Sequence, residues 1–284
     1  MKSFNIRKSS GEEVPFDPAK LRRSLSRSGA DEATISEVMD AVQVQLYEHI
    51  PTNKIYKSAF QMLKRHSKGA AARYKLQKAI IELGPSGYPF EQYIGAIYKS
   101  KGYHVEVGTI LEGECVTHET DVLAKRGNEI LIIECKFHST PSHKNDVKVP
   151  LYVHARFNDI KKRMTAGEDQ TSSKIECRII TNTRFTSDAI RYAACSGIIL
   201  TGWEFPEKDN LRNMIDSSGL HPVTCMTSLQ RNEKSALLGH NIVLCKDLFS
   251  HTSVLQEIRV RPSRIATIMK EMETLCGANI THEF

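Results

Sequence analysis

Three residues in one short stretch have the types and spacing that chemistry requires: Asp121, Glu134 and Lys136. Between the two acids lies Gly127-Asn128, a dipeptide that favours a two-residue hairpin turn. If that turn forms, paired residues have numbers that add up to 255, and Asp121 lies opposite Glu134. The sequence therefore predicts two opposed carboxylates at one end of a hairpin.

The same register gathers further charges at this point. Glu119 falls opposite Lys136, and Glu134 shares a face with Lys136 while Cys135 points the other way, because side chains alternate along a strand. Opposed like charges destabilise a sheet unless something compensates them. A divalent cation would do so, and hard oxygen ligands suit Mg²⁺ or Mn²⁺. An ammonium beside such a site can orient or deprotonate a water for attack on a phosphodiester.

Two other interpretations fit the same residue types. The charges can simply face water at a solvated hairpin end, or two pairs, Cys115 with His118 and Cys135 with His138, can be read as zinc ligands. However, positions i and i+3 of a strand face opposite ways, and the register opposes Cys135 to Thr120. We therefore expect these cysteines to be small buried residues on the face opposite the acids.

The elements that must position this hairpin alternate between strands and helices. Such interleaving is typical of an α/β sheet layered with helices. After the hairpin, a helix over 147–166 and a further helix near 187–196 are predicted. The predicted segments before and after the hairpin are a helix over 90–103 and strands over 104–110, 174–182 and 197–203.

This order of elements and acids resembles the PD-(D/E)xK nuclease superfamily, specifically its Mrr-type restriction endonuclease branch. The resemblance covers roughly residues 87–203. It implies that Asp121 and Glu134 hold the metal with help from the carbonyl of Cys135, and that Lys136 serves the water.

Two further positions bear on this resemblance. Glu91 matches an acidic position on the first helix that reaches the metal shell through water in some members of the superfamily. Thr120 stands before Asp121 where many members have proline, and HETD replaces a glycine-rich stretch. These departures concern DNA specificity more than metal binding.

The predicted helix after the hairpin carries Tyr152, His154, Arg156 and the basic run 161–163. Basic side chains on a helix beside a nuclease centre can contact phosphates, which position a duplex without reading its sequence. The alternative is a solvated helix face.

The first 84 residues form a different kind of unit, a β-hairpin followed by four helices. Residues 3–84 resemble the ATP-cone, a regulatory nucleotide-binding domain. A basic hairpin and a helix N-terminus can hold a triphosphate through ammonium groups and backbone N–H donors, with Lys8 and Lys20 as the candidates. The alternative is a basic helical domain that touches DNA directly. The match rests on Ile6, Lys8, Gly11, Pro15, Phe16, Asp17, Lys20, Leu21 and the segment 70–74.

Composition sets limits on the whole chain. Its 284 residues are 40% hydrophobic and 25% charged, which indicates a globular protein of about two domains. We expect a cytoplasmic protein without a membrane partner, because no apolar run nears the ~18 residues of a membrane span and the N-terminus does not resemble a signal peptide. Seven cysteines without a CxxC pair indicate reduced thiols.

Net charge is unevenly distributed along the chain. Residues 1–85 contain 15 Lys and Arg against 9 Asp and Glu, whereas residues 86–150 contain 7 against 9. The whole formal excess of +6 therefore lies in the first 85 residues. Basic surface favours polyanions, so this part is the first candidate for a phosphate-binding role.

Together these patterns predict an ATP-cone over 1–85, a nuclease domain with a mixed α/β sheet over 86–205 and a helical C-terminal region over 206–284. The predicted activity is Mg²⁺-dependent hydrolysis of DNA, with ATP or dATP as an effector, since no GxxxxGK[ST] motif indicates ATP hydrolysis. The C-terminal helices are expected to pack between subunits or to touch DNA. A homodimer would supply two active sites, one for each strand of a DNA duplex. The alternative function is a nucleotide-responsive DNA-binding regulator that does not cut.

Overall fold

The computed structural model describes residues 4–8, 11–166 and 174–276. They divide into two compact units: one comprises the described residues up to Ala79 and from Val223 onward, and the other comprises Ile80–Pro222. In the described part of the chain, no helix combines the length and apolar character that a membrane crossing requires.

The first unit begins with a small three-stranded sheet in the order β2-β1-β3. Strands β1 (Asn5–Arg7) and β2 (Glu13–Pro15) form the predicted antiparallel hairpin, and β3 (Ile50–Pro51), which was not predicted, adds to β1 in parallel. The helices that follow are α1 (Pro18–Arg27), α2 (Glu32–Val44), α3 (Thr52–His66), α4 (Lys68–Tyr74) and α5 (Leu76–Ile81).

Capping residues determine where the first two helices begin. The carboxylate of Asp17 accepts a hydrogen bond from the backbone N–H of Lys20, and Pro18 occupies the first turn, where its missing N–H costs nothing. Asp31 caps α2 in the same way through Thr34. The prediction of four helices was wrong in one respect, because the last one is interrupted at Lys75 and forms α4 and α5.

The C-terminal helices belong to the same unit as the N-terminal segment. Helix α13 packs against α4, where the methyl group of Thr274 lies 3.0 Å from the position that a Cβ on Gly69 would occupy. In addition, the hydroxyl of Thr224 donates to the carbonyl of Ala79 at 2.6 Å. The C-terminal helices of this unit are α10 (Arg231–Gly239), α11 (Asp247–Ser250), α12 (Ser253–Glu257) and α13 (Pro262–Cys276).

The second unit is built on a five-stranded mixed sheet in the order β10-β8-β6-β5-β4. The pairs β4–β5 and β5–β6 are antiparallel, whereas β6–β8 and β8–β10 are parallel. The strands are β4 (His104–Glu112), β5 (Thr117–Arg126), β6 (Glu129–Lys136), β8 (Lys174–Thr181) and β10 (Ile199–Thr201). A separate parallel ribbon joins β7 (Lys144–Asn145) to β9 (Arg184–Phe185), and the helices are α6 (Tyr88–Ser100), α7 (Lys148–Thr165), α8 (Ser187–Ser196) and α9 (Leu211–Ser218).

Helices cover both faces of this sheet. Val153, Phe157 and Ile160 follow at helical spacing on α7 and pack with Leu123 and Ile132 of the hairpin. Helix α6 lies against β4, β5 and β6, and it approaches β4 so closely that a Cβ on Gly95 would lie 2.9 Å from a methyl carbon of β4. The predicted mixed fold, with its N-terminal strands, central sheet and C-terminal helices, is confirmed.

Candidate active site

The β5–β6 hairpin has the predicted register. Its ladder runs from Arg126–Glu129 to Val122–Ile133, and every pair adds up to 255. The ladder ends one pair before Asp121 and Glu134, however. There the carboxylate of Asp121 takes the place of a backbone partner, because Cys135 N–H donates to its Oδ2 at 2.6 Å. Beyond the last backbone pair, the two strands therefore present the side chains of Asp121 and Glu134 at this end of the hairpin.

Glu134 is a buried carboxylate held between two cations. Its side chain is 9% exposed, with Lys136 Nζ 2.6 Å from Oε1 and Arg156 Nη1 3.1 Å from Oε2. Arg156 also donates to the carbonyl of Glu119, so one guanidinium joins the ends of both strands. Charge-assisted bonds on both oxygens offset the cost of burying this carboxylate.

Asp121 and Glu91 lie in the electrostatic field of that carboxylate. Burial and then the charge of Glu134 raise the pKa of Asp121 to about 6. Burial and then the charges of Asp121, Glu119 and Glu134 raise the pKa of Glu91 to about 7. These carboxylates therefore lie close enough to repel one another, and that repulsion favours a bound cation.

The raised pKa of Asp121 predicts how stability changes with pH. A carboxyl group whose folded pKa lies near 6, above its unfolded value of 3.8, stabilises the fold below pH 3.8 and loses that contribution as pH rises through 6. In EDTA we expect the free energy of unfolding to fall by about 1–2 kcal/mol between pH 5 and 8, after allowance for solvent screening. Fluorescence of Trp203, the single tryptophan, measures this in guanidinium titrations.

Asp121→Asn should reduce this pH dependence, because the amide does not ionise, and the slope that remains comes from Glu91, whose pKa is raised to about 7. Asp159→Asn is a less suitable control, since Asp159 anchors a loop, whereas Asp188→Asn removes an exposed carboxylate and should leave the slope unchanged. An identical slope in wild type and Asp121→Asn would show that Asp121 is not the group that titrates.

A small cavity lies behind Glu134. It leaves about 10 Å³ for the centre of a water molecule, and its polar lining comes from Thr120, Glu134 and Arg156. The hydroxyl of Thr120 is buried and has no hydrogen-bond partner among the described residues. A space of this size with polar partners suits one water molecule.

The two histidines of the zinc interpretation have hydrogen-bond partners outside the proposed zinc pairs. His118 Nε2 lies 2.8 Å from Oδ2 of Asp159, and His138 Nε2 lies 2.8 Å from Oδ1 of Asn145. Cys135 is buried as expected, and burial raises the pKa of its thiol well above the usual range. Cys115 is exposed, so its predicted burial was wrong; it lies in the turn after β4, where its N–H donates to Asp159.

Helix α7 contributes less to this site than its basic residues suggested. Arg156 reaches Glu134 and lies over the ring of the exposed Tyr152, with 5.4 Å from guanidinium carbon to ring centroid. His154, by contrast, bonds to the hydroxyl of Tyr192 at 2.8 Å. The sequence suggested Arg156 as one of several candidates for phosphate contacts, and no local signal linked it to Glu134.

A buried polar network behind Lys136 was not predicted. The hydroxyl of Thr181 donates to the carbonyl of Lys136 at 2.7 Å, and Asn182 bonds to both the N–H and the carbonyl of His138. Thr181, Asn182 and Thr183 are at most 1% exposed. Their polar run at the end of β8, directly after Ile179 and Ile180, was the available signal in the sequence.

The donor set fits a divalent cation that retains waters. No three carboxylate, imidazole or thiolate groups of the described residues form a ready metal cluster. Asp121 and Glu134 supply two hard carboxylates, whose mutual repulsion a cation relieves. Mg²⁺ is commonly held by one or two carboxylates, with waters and substrate phosphates completing its shell.

The candidate nucleotide residues lie on the surface of the first unit. Lys8 Nζ bonds to Oε2 of Glu12 at 3.0 Å, and its backbone N–H bonds to the carbonyl of the same residue. Lys20 lies exposed in the first turn of α1.

Two family models match this chain. Residues 4–78 match the ATP cone domain, which confirms the predicted ATP-cone, and residues 221–276 match the C-terminal part of AF1548-like proteins. An uncharacterized protein of Archaeoglobus fulgidus is 33% identical over 182 residues, which are 64% of this chain and 98% of that protein. The chain therefore belongs to the AF1548-like family and contains an ATP-cone domain.

Two solved structures are similar to this chain. The crystal structure of the protein of unknown function AF1548 is 30% identical and has a TM-score of 0.54, covering 68% of this chain and 99% of its own. MspJI restriction endonuclease, solved with a 27-mer oligonucleotide, is 13% identical with a TM-score of 0.34, covering 70% of this chain and 40% of its own.

Proposed function

We propose that this protein is a metal-dependent endodeoxyribonuclease of the Mrr-type PD-(D/E)xK class, regulated by ATP or dATP at its ATP-cone. One observation supports the activity above the others: Lys136 lies 2.6 Å from the buried Glu134, beside an aspartate whose pKa is raised to about 6. That combination of an ammonium and repelling carboxylates has little structural benefit unless a cation and a phosphate enter.

The residues of the site have separate roles in this proposal. Asp121 and Glu134 would hold Mg²⁺ or Mn²⁺ with the carbonyl of Cys135, and Glu91 would reach the cation through water. When bound, the metal supplies Lewis acidity toward the scissile phosphate and lowers the pKa of a water. Lys136 would orient the attacking water and offset the charge that develops on the phosphate. Arg156 keeps Glu134 in place.

A cleavage assay tests this activity. Plasmid, branched and single-stranded DNA are incubated with Mg²⁺, Mn²⁺ or EDTA, with and without ATP. Nicked or linear products should appear only with a divalent cation. Binding of DNA without cleavage under every one of these conditions would instead favour the second candidate, a nucleotide-responsive DNA-binding regulator.

The regulatory half of the proposal predicts a defined loss of nucleotide binding. The ammonium groups of Lys8 and Lys20 would pair with phosphates. Substitution of either lysine by alanine should therefore lower the affinity for ATP and dATP by roughly fivefold to twentyfold. Isothermal titration calorimetry on the full chain measures this. Lys57→Ala, which removes an equal charge from α3, should bind as wild type does. No heat from wild type at millimolar nucleotide would refute the effector role.

A further inference from the structure

A ribbon of two short strands beside the candidate site brings two cations together. Strands β7 and β9 pair in parallel, with Lys144 next to Arg184 and Asn145 next to Phe185. The first pair is exposed and the second pair is buried. The ribbon therefore turns one face inward and presents an ammonium and a guanidinium side by side on its outer face.

This arrangement is costly without an anion. Neighbouring strands lie about 4.8 Å apart, and like charges in register repel each other. In the described part of the chain, no carboxylate forms an ion pair with Lys144 or Arg184. The nearest acid in sequence, Asp146, accepts the backbone N–H of Lys148 at 2.9 Å and begins the turn into α7.

An imidazole and a further ammonium flank the ribbon. His143 precedes Lys144, is exposed and stacks on His138 with 3.7 Å between ring centroids. Lys148, at the start of α7, is also exposed. The surface that begins two residues after Lys136 thus collects Lys144, Lys148 and Arg184, although the segment 86–150 has a net negative charge.

Buried hydrogen bonds fix this ribbon to the strand that holds Lys136. Asn145 is 2% exposed, and its side-chain nitrogen donates to the hydroxyl of Thr181 and to the carbonyl of Arg184, both at 3.1 Å. The hydroxyl of Thr181 donates in turn to the carbonyl of Lys136 at 2.7 Å. Two hydrogen bonds therefore connect the core of the ribbon to the candidate site, and the cations have a fixed place beside it.

We propose that the β7–β9 ribbon is a docking surface for the phosphodiester backbone of DNA, with Lys144 and Arg184 as its contacts. Contacts to phosphate oxygens position a duplex without reading its sequence, so binding to this surface should not depend on the base sequence. The inference names the substrate-binding surface of the proposed nuclease, and it can be tested without any cleavage.

Fluorescence anisotropy with a labelled 30-base-pair duplex in EDTA provides that test. The full chain, Lys144→Ala/Arg184→Ala and the control Lys125→Ala/Lys174→Ala are titrated between about 50 and 300 mM KCl. The control removes two cations at the hairpin-turn end of the sheet, where each has an acidic partner. Because each phosphate contact adds about 0.9 to the salt slope, the ribbon variant should lose about 2 from the slope of log K against log salt. Its affinity at 100 mM should fall about tenfold or more, whereas the control stays within about twofold.

Several outcomes would overturn the proposal. They are an unchanged slope and affinity in the ribbon variant, equal losses in the control, binding of a single-stranded RNA but not of the duplex, and no duplex binding by wild type at 50 mM KCl. Lys144→Gln/Arg184→Gln and the fluorescence of Trp203 verify that the losses do not come from misfolding. Duplex binding that depends on the ribbon, without cleavage in Mg²⁺, would support the docking surface and refute the nuclease. Cleavage together with unchanged binding in the ribbon variant would support the nuclease and refute the docking surface.

Discussion

Lys136→Ala should reduce the rate of metal-dependent DNA cleavage by about 10²- to 10³-fold while leaving duplex binding within about threefold. The ammonium lies 2.6 Å from Glu134 and is one-third exposed, so it can meet both the carboxylate and an incoming phosphate. Its loss removes an interaction that strengthens in the transition state, which lowers the rate and not the affinity.

The matched control for this substitution lies on the same hairpin. Lys125 sits at the turn end of β5 and pairs with Glu106 at 3.5 Å, so Lys125→Ala removes the same charge away from the site. Cleavage by this variant should stay within about twofold of wild type. Equal rates for wild type and Lys136→Ala, measured at saturating Mg²⁺, would remove Lys136 from the mechanism.

Arg156→Ala should lower the free energy of unfolding by about 2–3 kcal/mol. The substitution leaves Glu134 buried with Lys136 as its remaining cation, and it frees the carbonyl of Glu119. A buried charge that loses one partner costs more than an exposed one, since water cannot replace the lost contact. Guanidinium unfolding followed by Trp203 fluorescence measures the change.

A second arginine on the same helix provides the comparison. Arg163 is exposed in the last turn of α7, and Arg163→Ala should change the free energy of unfolding by less than about 0.5 kcal/mol. Arg156→Lys keeps the charge but loses the second contact, so its stability should be intermediate. If Arg156→Ala and Arg163→Ala are equally stable, the ion pair with Glu134 does not hold the site together.

Local patterns explain why the acids of the site could be predicted. Gly127 adopts a φ of 54° in the hairpin turn, a conformation that favours glycine, and this turn determines the register of Asp121 and Glu134. Capping by Asp17 and Asp31 likewise follows from neighbouring residues. In each case the determining contacts lie within the element or its turn.

Contacts between distant segments explain what the sequence did not reveal. Arg156 meets Glu134 across 22 positions, and Asn145 meets Thr181 across 36. No local sequence pattern indicates either contact, because each depends on how α7 and the β7–β9 ribbon return to the edge of the sheet. The break at Lys75 was also missed, since the alanine-rich segment around it has a high helix propensity.

The distribution of charge is interpreted differently once the structure is considered. The basic excess of residues 1–85 belongs to the ATP-cone, whereas residues 86–150 are net negative partly because of the carboxylates of the candidate site. The proposed attraction for DNA then comes from the local cations of the β7–β9 ribbon. Net charge alone would have directed attention to the other unit.

Single-turnover cleavage of an end-labelled duplex, with excess enzyme and with Mg²⁺ added last, tests the central claim most directly. Wild type, Asp121→Asn and Lys125→Ala are compared in Mg²⁺ and in EDTA. We predict metal-dependent cleavage by wild type and by Lys125→Ala, and a rate at least 10²-fold lower for Asp121→Asn. Cleavage by wild type in EDTA, or undiminished cleavage by Asp121→Asn in Mg²⁺, would contradict the account.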